Sequence, residues 1–278
     1  MPIGNLFQHA LLEDAPTADI TSNWLLGDQL PARAQVIAKS SGLFFASPVI
    51  HDCQHALPSI SIRQMIADGE PVYKNSIALE IAGDLKEILR LERTLLNFIQ
   101  RLSGITTITQ AYVTALNDPS IQVLDTRKTT PLLRNYEKQA VRAGGGYNHR
   151  FGLHDMILVK ENHLHAYKNQ WPLFNQKLAQ HKEKHPNIPI EVEIADIDLL
   201  SSLNLETIDI IMFDNMPLST LKKGVAILDQ LPHRPLVEVS GNIRLDTIST
   251  YRGSGINRIS VGSLTHSVQA LDLSLLVI

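Results

Sequence analysis

From Asn117 onward, short apolar runs recur at intervals filled by helical patterns. Ile121 to Leu124, Met156 to Val159, Ile190 to Ile194, Ile208 to Phe213, Leu236 to Val239 and Arg258 to Val261 read as strands. Pro131 to Ala143, Leu173 to His185, Asp196 to Leu203, Leu218 to Leu231 and Leu245 to Tyr251 read as the helices between them. Such alternation implies a parallel sheet with right-handed crossovers. Six strands are too few for an eightfold barrel, so the pattern predicts an incomplete α/β (TIM-like) barrel, with an open sheet as the alternative. The N-terminal third differs. A helix over Leu6 to Leu12 and a polar turn over Glu13 to Asp19 precede strand-like runs at Ala34 to Ala38, Gly42 to Phe45, Ser59 to Met65 and Ser76 to Ala82. With a helix over His51 to Leu57, this predicts an α+β domain. Between the two regions, Leu85 to Leu116 has helical periodicity, which Gly104 is expected to split into two helices. The boundary is placed there, giving an N-terminal domain over 1–108 and a barrel domain over 109–278, whose last helix is expected to pack back on the N-terminal domain.

Composition narrows the chemistry. The net charge of -3, with no broad basic face or aromatic-plus-basic patch, argues against a nucleic-acid partner. Cys53 is the only cysteine, which excludes an internal disulfide framework and a cysteine-based zinc site. The N-terminal residues carry no basic segment followed by an apolar core, and no stretch has the length to cross a bilayer. No membrane is therefore expected, and a cytoplasmic location is.

Against that acidic balance, the segment from Asp125 to His163 concentrates Arg127, Lys128, Arg134, Lys138, Arg142, His149, Arg150 and Lys160. Arg134, Lys138 and Arg142 fit a solvated helix face as well as a site. Arg127, Lys128 and Lys160 follow apolar strands, where a charge calls for a partner, and they point to a small polyanion. Ligands of parallel α/β folds bind beyond the carboxyl ends of the strands. Those ends here are Asp125 to Lys128, Lys160, Glu191 with Glu193, Asp214-Asn215, Ser240-Gly241-Asn242 and Gly262-Ser263. In the run IEVEI both glutamates share one face of the strand. Glu193 with Asp214 suits magnesium and a phosphorylated sugar, or positive charge developing on a ring carbon; the alternative is an internal salt bridge to Lys160 or Arg127. The small residues of the last two loops leave backbone N–H groups open to phosphate.

The runs LERTLLNFIQRLSGI, DTRKTTP, KQAVRAGGGYNHRFGL, ILVKENH, EVEI, FDNM, EVSGNI and ISVGSLTHSVQALDLSL, in this order and spacing, resemble the quinolinate phosphoribosyltransferase family. The resemblance extends from EDAPTADITS to the C-terminal segment. It implies an N-terminal α/β sandwich, an incomplete C-terminal barrel and a homodimer whose active sites draw on both subunits. It further implies transfer of the phosphoribosyl group of phosphoribosyl pyrophosphate to quinolinate with magnesium. Pyrophosphate and carbon dioxide are released, leaving nicotinate mononucleotide for NAD synthesis.

By the same resemblance, Arg127, His149 and Arg150 bind the two quinolinate carboxylates, with Lys128 and Lys160 beside them, and Arg93 comes from the neighbouring subunit. Lys128, Lys160, Glu193 and Asp214 are the implied catalytic residues; Glu193 and Asp214 hold the ribose hydroxyls and magnesium, directly or through water. Ser240, Gly241, Asn242, Gly262 and Ser263 take the 5-phosphate. Three positions depart from the family pattern: Leu132 and Asn242 stand where glycine is usual, as does Ala18 in the N-terminal turn. Three other readings share parts of the pattern. They are a Schiff-base aldolase using Lys160, a related barrel protein of molybdate transport, and a non-catalytic sensor of a phosphorylated metabolite.

Overall fold

A computed structural model describes residues 6–278, which form two compact units. The first comprises the residues up to Gln110 together with 129–145 and 263–278; the second comprises 111–128 and 146–262. In the first lie α1 (Leu6–Asp14), α2 (Ile20–Leu25), β1 (Pro31–Ala38), β2 (Gly42–Leu43), α3 (Ser47–Ala56), β3 (Ser61–Gln64), β4 (Pro71–Val72) and β5 (Ile77–Asp84). A long helix, α4 (Leu85–Leu116), leads into the second unit, which begins its sheet with β6 (Gln122–Leu124). The chain visits the first unit again with α5 (Arg134–Ala143). It then runs through β7 (Ile157–Val159), α6 (Glu161–Ala166), α7 (Trp171–Lys184), β8 (Ile190–Ile194), β9 (Ile210–Asp214), α8 (Leu218–Leu228), β10 (Leu236–Ser240) and β11 (Arg258–Ser260). Last come α9 (Ser263–His266) and β12 (Leu273–Val277), both in the first unit.

The first unit is built on a four-stranded antiparallel sheet ordered β12-β1-β5-β3. Alternation in β1 buries Ala34, Val36 and Ala38 and directs the residues between them away from the core. The C-terminal segment, expected as a helix, is instead strand β12, antiparallel to β1. The reason is legible: Leu271, Leu273 and Leu275 alternate with Asp272 and Ser274, a period of two rather than of 3.6.

Helix α4 also corrects an expectation, because it is continuous through Gly104. Ile88, Leu91, Leu95, Leu96, Ile99, Leu102 and Ile105 form its buried stripe at three- and four-residue spacings. Gly104 serves close approach rather than a break. A Cβ there would stand 2.2 Å from the Gln269 carbonyl oxygen and 2.8 Å from Val268 Cγ1. Arg101 on the same helix donates from Nε to Glu137 Oε1 of α5 at 2.9 Å and from Nη2 to the Thr265 carbonyl at 2.7 Å. Of the helix-borne cations of α5, Lys138 is buried and Arg134 donates to Thr129 Oγ1 at 3.0 Å, while Arg142 is exposed.

Just before α5, Leu132 holds φ +68 and is 62% exposed. A leucine in the left-handed region pays about 1–2 kcal/mol in steric strain, which explains why glycine suits this position. Leu132→Gly is accordingly expected to raise unfolding stability by about 0.5–1 kcal/mol, after the entropy of glycine in the unfolded chain is offset. A urea titration with an unchanged slope checks it.

The second unit holds the six expected strands in one parallel sheet ordered β6-β11-β10-β9-β8-β7. Two of the expected crossover helices are short 3-10 turns, Ile197–Ser202 and Ile248–Tyr251. The sheet does not close: β6 pairs β11 on one side and meets only an isolated bridge at Tyr147 on the other. This is the incomplete barrel that the apolar runs predict. Among the described residues, no helix is long and apolar enough to cross a membrane.

Candidate active site

Parallel strands deliver their C-terminal residues to one rim, and a pocket of about 620 Å³ opens there. Thr126, Arg127 and Lys128 reach it from the end of β6, Lys160 from β7, Glu193 from β8, Asp214 and Asn215 from β9, and Ser240, Gly241 and Asn242 from β10. His149 and Arg150 come from the loop before β7. The structure thus brings together Arg127, Lys128, His149, Arg150, Lys160, Glu193, Asp214, Ser240, Gly241 and Asn242 in one lining. Arg93, Gly262 and Ser263 are not among the lining residues; Arg93 is exposed on α4, 3.9 Å from Glu92.

Charge in the pocket is organised in layers. At its mouth Lys160 Nζ donates to Glu193 Oε2 at 2.6 Å, the internal salt bridge weighed as an alternative above. Asn215 Nδ2 donates to Asp214 Oδ2 at 2.8 Å, and Asn242 Nδ2 donates to Asn215 Oδ1 at 2.9 Å, so a chain of amides braces the Asp214 carboxylate. This bracing accounts for Asn242. It adopts φ +51, which asparagine tolerates, and its side chain lies along the rim. Gly241 has no such freedom of replacement, since φ is +93 and a Cβ would meet Asn215 Oδ1 at 2.2 Å.

Arg150 passes below, donating from Nη1 to the Met156 carbonyl at 3.1 Å. Its buried Nε finds no hydrogen-bond partner among the described residues. Burial, then the neighbouring Arg127 charge, pull its pKa below the ordinary value, opposed by Glu191, Asp155 and Glu193.

Deeper still lies a feature that the strand-end reading missed. Glu191, on the same face of β8 as Glu193, is two residues nearer the strand's N-terminal end, about 7 Å lower. It is fully buried, as is Glu238 of β10. His149 Nε2 stands 3.0 Å from Glu191 Oε2 and 3.5 Å from Glu238 Oε1. Ser260 Oγ makes a short hydrogen bond to Glu238 Oε1. The His149 backbone N–H donates to the buried Asp125 Oδ1 at 2.9 Å. One signal was present: LVEVS places a lone acid in an apolar strand just as IEVEI does.

Burial pushes the Glu191 carboxyl up to about 8, against the opposing charges of Arg258 and Arg150. Glu238 is pushed up to about 7 by burial and then by Glu191, with His149, Ser260 and Arg258 pulling the other way. A carboxyl raised in the fold stabilises it below the unfolded pKa and loses that contribution as pH rises through the folded value. From pH 5 to pH 8 the wild type is therefore expected to lose stability through both carboxyls, and Glu238→Gln to remove only the Glu238 part, about 3 kcal/mol, leaving the Glu191 part in place. Thermal melts of the metal-free proteins across that range measure it.

The comparisons with known proteins agree with each other. The family described as "Quinolinate phosphoribosyl transferase, N-terminal domain" matches residues 19–103, and "Quinolinate phosphoribosyl transferase, C-terminal domain" matches 105–276. The chain is 40% identical over 277 residues to the probable nicotinate-nucleotide pyrophosphorylase (carboxylating) of Bacillus subtilis, covering 99% of this chain and 93% of that one. It is 34% identical over 284 residues to the corresponding Methanocaldococcus jannaschii protein, covering 97% and 95%. The solved nicotinate-nucleotide pyrophosphorylase from Francisella tularensis superposes with a TM-score of 0.86 at 34% identity, covering 98% of this chain and 95% of that chain.

Proposed function

Because the chain belongs to the quinolinate phosphoribosyl transferase family, we infer that the rim pocket is where it moves the phosphoribosyl group of phosphoribosyl pyrophosphate onto quinolinate. The transfer releases pyrophosphate and carbon dioxide and supplies nicotinate mononucleotide for NAD biosynthesis. The observation that carries the placement is the company of charges: four cations, Arg127, Lys128, Arg150 and Lys160, share one pocket with Glu193 and Asp214.

A dicarboxylate calls for forked, charge-assisted donors, and we assign the quinolinate carboxylates to Arg127 and Arg150, with Lys128 and His149 beside them. As the ribosyl carbon leaves pyrophosphate it gains positive charge, and Glu193 and Asp214 stabilise that charge from adjacent strands. Lys160, held by Glu193, stays over the same carbon's surroundings as a counter-charge for the departing anion. Ser240, Gly241 and Asn242, with Gly262 and Ser263 after β11, take the 5-phosphate. Once the ring nitrogen is ribosylated, its positive charge stabilises the carbanion left as the adjacent carboxylate departs as carbon dioxide, and that carbon then takes a proton from water to give nicotinate mononucleotide.

Glu193 and Asp214 fit magnesium, which takes one or two protein carboxylates and fills its other positions from phosphate and water. Bound there, the ion would neutralise the pyrophosphate leaving group. Chelation is expected to lower turnover roughly 100-fold or more, with recovery on adding magnesium. Product formation in EDTA-treated enzyme measures it, and undiminished turnover would remove magnesium from the account. We further assign Arg93 to the pocket of the neighbouring subunit in a homodimer, and the chain to the cytoplasm, where the buried Cys53 thiol stays reduced.

The aldolase reading is not favoured. The Lys160 amine is engaged by Glu193 at 2.6 Å rather than presented to a carbonyl, and a lysine nucleophile leaves the surrounding guanidinium groups without a purpose.

A further inference from the structure

We propose that Glu191 and Glu238 are positioning residues for the acceptor side of the transfer, holding the His149 imidazole as its Nε2–H tautomer so that His149 fixes the main chain of Arg150 at the pocket. The proposal deepens the reading above and rests on it, because Arg150 is there assigned to the acceptor carboxylates.

The tautomer follows from the partners of the two ring nitrogens. His149 Nδ1 accepts the backbone N–H of Arg150 at 2.8 Å, so a neutral ring carries its proton on Nε2. That Nε2 faces two buried carboxylates, at 3.0 and 3.5 Å. Neither oxygen of Glu191, nor Oε2 of Glu238, nor His149 Nε2 makes a hydrogen bond of ordinary geometry among the described residues, and the imidazole is the polar group that the glutamates face at 3.0 and 3.5 Å. Ser260 orients the remaining Glu238 oxygen. The same three side chains bring ligand-type atoms within 4.8 Å of one another, an arrangement that would suit a metal ion. The tautomer argues against one, because an imidazole whose Nδ1 accepts a backbone N–H has no lone pair at Nε2 to give a metal.

The ring is thus gripped from three directions. The residue's backbone N–H is bonded to Asp125 and its Nδ1 to the N–H of the next residue, while its Nε2 faces the paired glutamates at 3.0 and 3.5 Å. The bond to Nδ1 ties the ring to the peptide that starts Arg150, whose side chain then runs to the Met156 carbonyl with Nε unpartnered. Displacing the ring displaces that peptide and the guanidinium beyond it.

The sign of the change in KM gives the test. Assayed at a pH above the values of both raised carboxyls, where both are ionised, neutralising one lowers KM for both anionic substrates if the glutamates act through charge. If they act through position, Glu191→Gln raises KM for quinolinate by about 10-fold or more, by misplacement of a binding group. KM for phosphoribosyl pyrophosphate then stays within about 2-fold, and Glu238→Gln, at the longer contact, shows a smaller change of the same sign. Nitrogen-15 spectra of the wild-type imidazoles, with His149 assigned by its loss in His149→Gln, are expected to show the Nε2–H form. A wild-type ring protonated on Nδ1 overturns the proposal even if the variants do not fold. So do glutamine variants that lower KM, leave it unchanged, or change both KM values in parallel with thermal stability. A wild type with no transferase activity would instead count against the reading of the pocket, and the tautomer measurement would stand on its own.

Discussion

Arg150→Ala is expected to raise the KM for quinolinate by about 100-fold while the fold survives, an estimate from the 1.5–3 kcal/mol that a charge-assisted hydrogen bond contributes. The side chain borders the pocket and, among the described residues, makes one internal hydrogen bond, to the Met156 carbonyl, which can turn to water in the variant. Its loss removes a guanidinium from a site that must hold two carboxylates, and it relieves the repulsion between Arg150 and Arg127. The relief is smaller than the loss, because the substrate is more negative than the pocket is crowded. Arg150→Lys should recover only part of the affinity, since an ammonium cannot present two parallel donors. Steady-state kinetics with each substrate varied in turn separates the two KM values, and an unchanged quinolinate KM in Arg150→Ala would move the acceptor elsewhere.

The largest stability effect is expected at Arg101, in the first unit. Glu137 is fully buried and its carboxylate receives Arg101 Nε at 2.9 Å, with the backbone N–H of Thr130 on the other oxygen at 3.3 Å. Arg101→Met keeps the apolar stem and removes the charge, leaving a buried carboxylate with one weak donor. Breaking a buried pair from one side costs about 3–5 kcal/mol. The lower figure applies, because the Arg101 side chain is 29% exposed and water can reach the space it leaves. The double variant Arg101→Met, Glu137→Leu is expected to regain most of the loss, since no uncompensated charge remains. Urea unfolding of the wild type and the two variants measures both numbers.

Much of this architecture is legible in the chain because two periodicities carry it. Each barrel strand is an apolar run ended by a polar or small residue, and that junction alone puts Arg127, Lys160, Glu193, Asp214 and Ser240 on one rim. Glycine is the ambiguous letter. At Gly104 a helix break and a close crossing of chains write the same residue, and only the position of the Gln269 carbonyl separates them. At Leu132 the ambiguity runs the other way, because a left-handed backbone is hidden behind a leucine. The buried His149, Glu191 and Glu238 cluster escaped the strand-end argument because it lies within the barrel rather than at its rim. A lone acid inside an apolar strand is the available sign at Glu238, and the strand-end pattern puts Glu191 on the rim although the chain carries it a layer deeper.

The measurement that tests the account most directly is a single incubation of the purified protein with quinolinate, phosphoribosyl pyrophosphate and magnesium, following nicotinate mononucleotide and carbon dioxide together. Equal amounts of the two products are predicted from the wild type at quinolinate near its KM, with neither formed at a comparable rate under those conditions by Glu193→Ala or Arg150→Ala. Wild-type protein that leaves quinolinate untouched, or variants that turn it over at the wild-type rate, would contradict the placement of this reaction in the rim pocket.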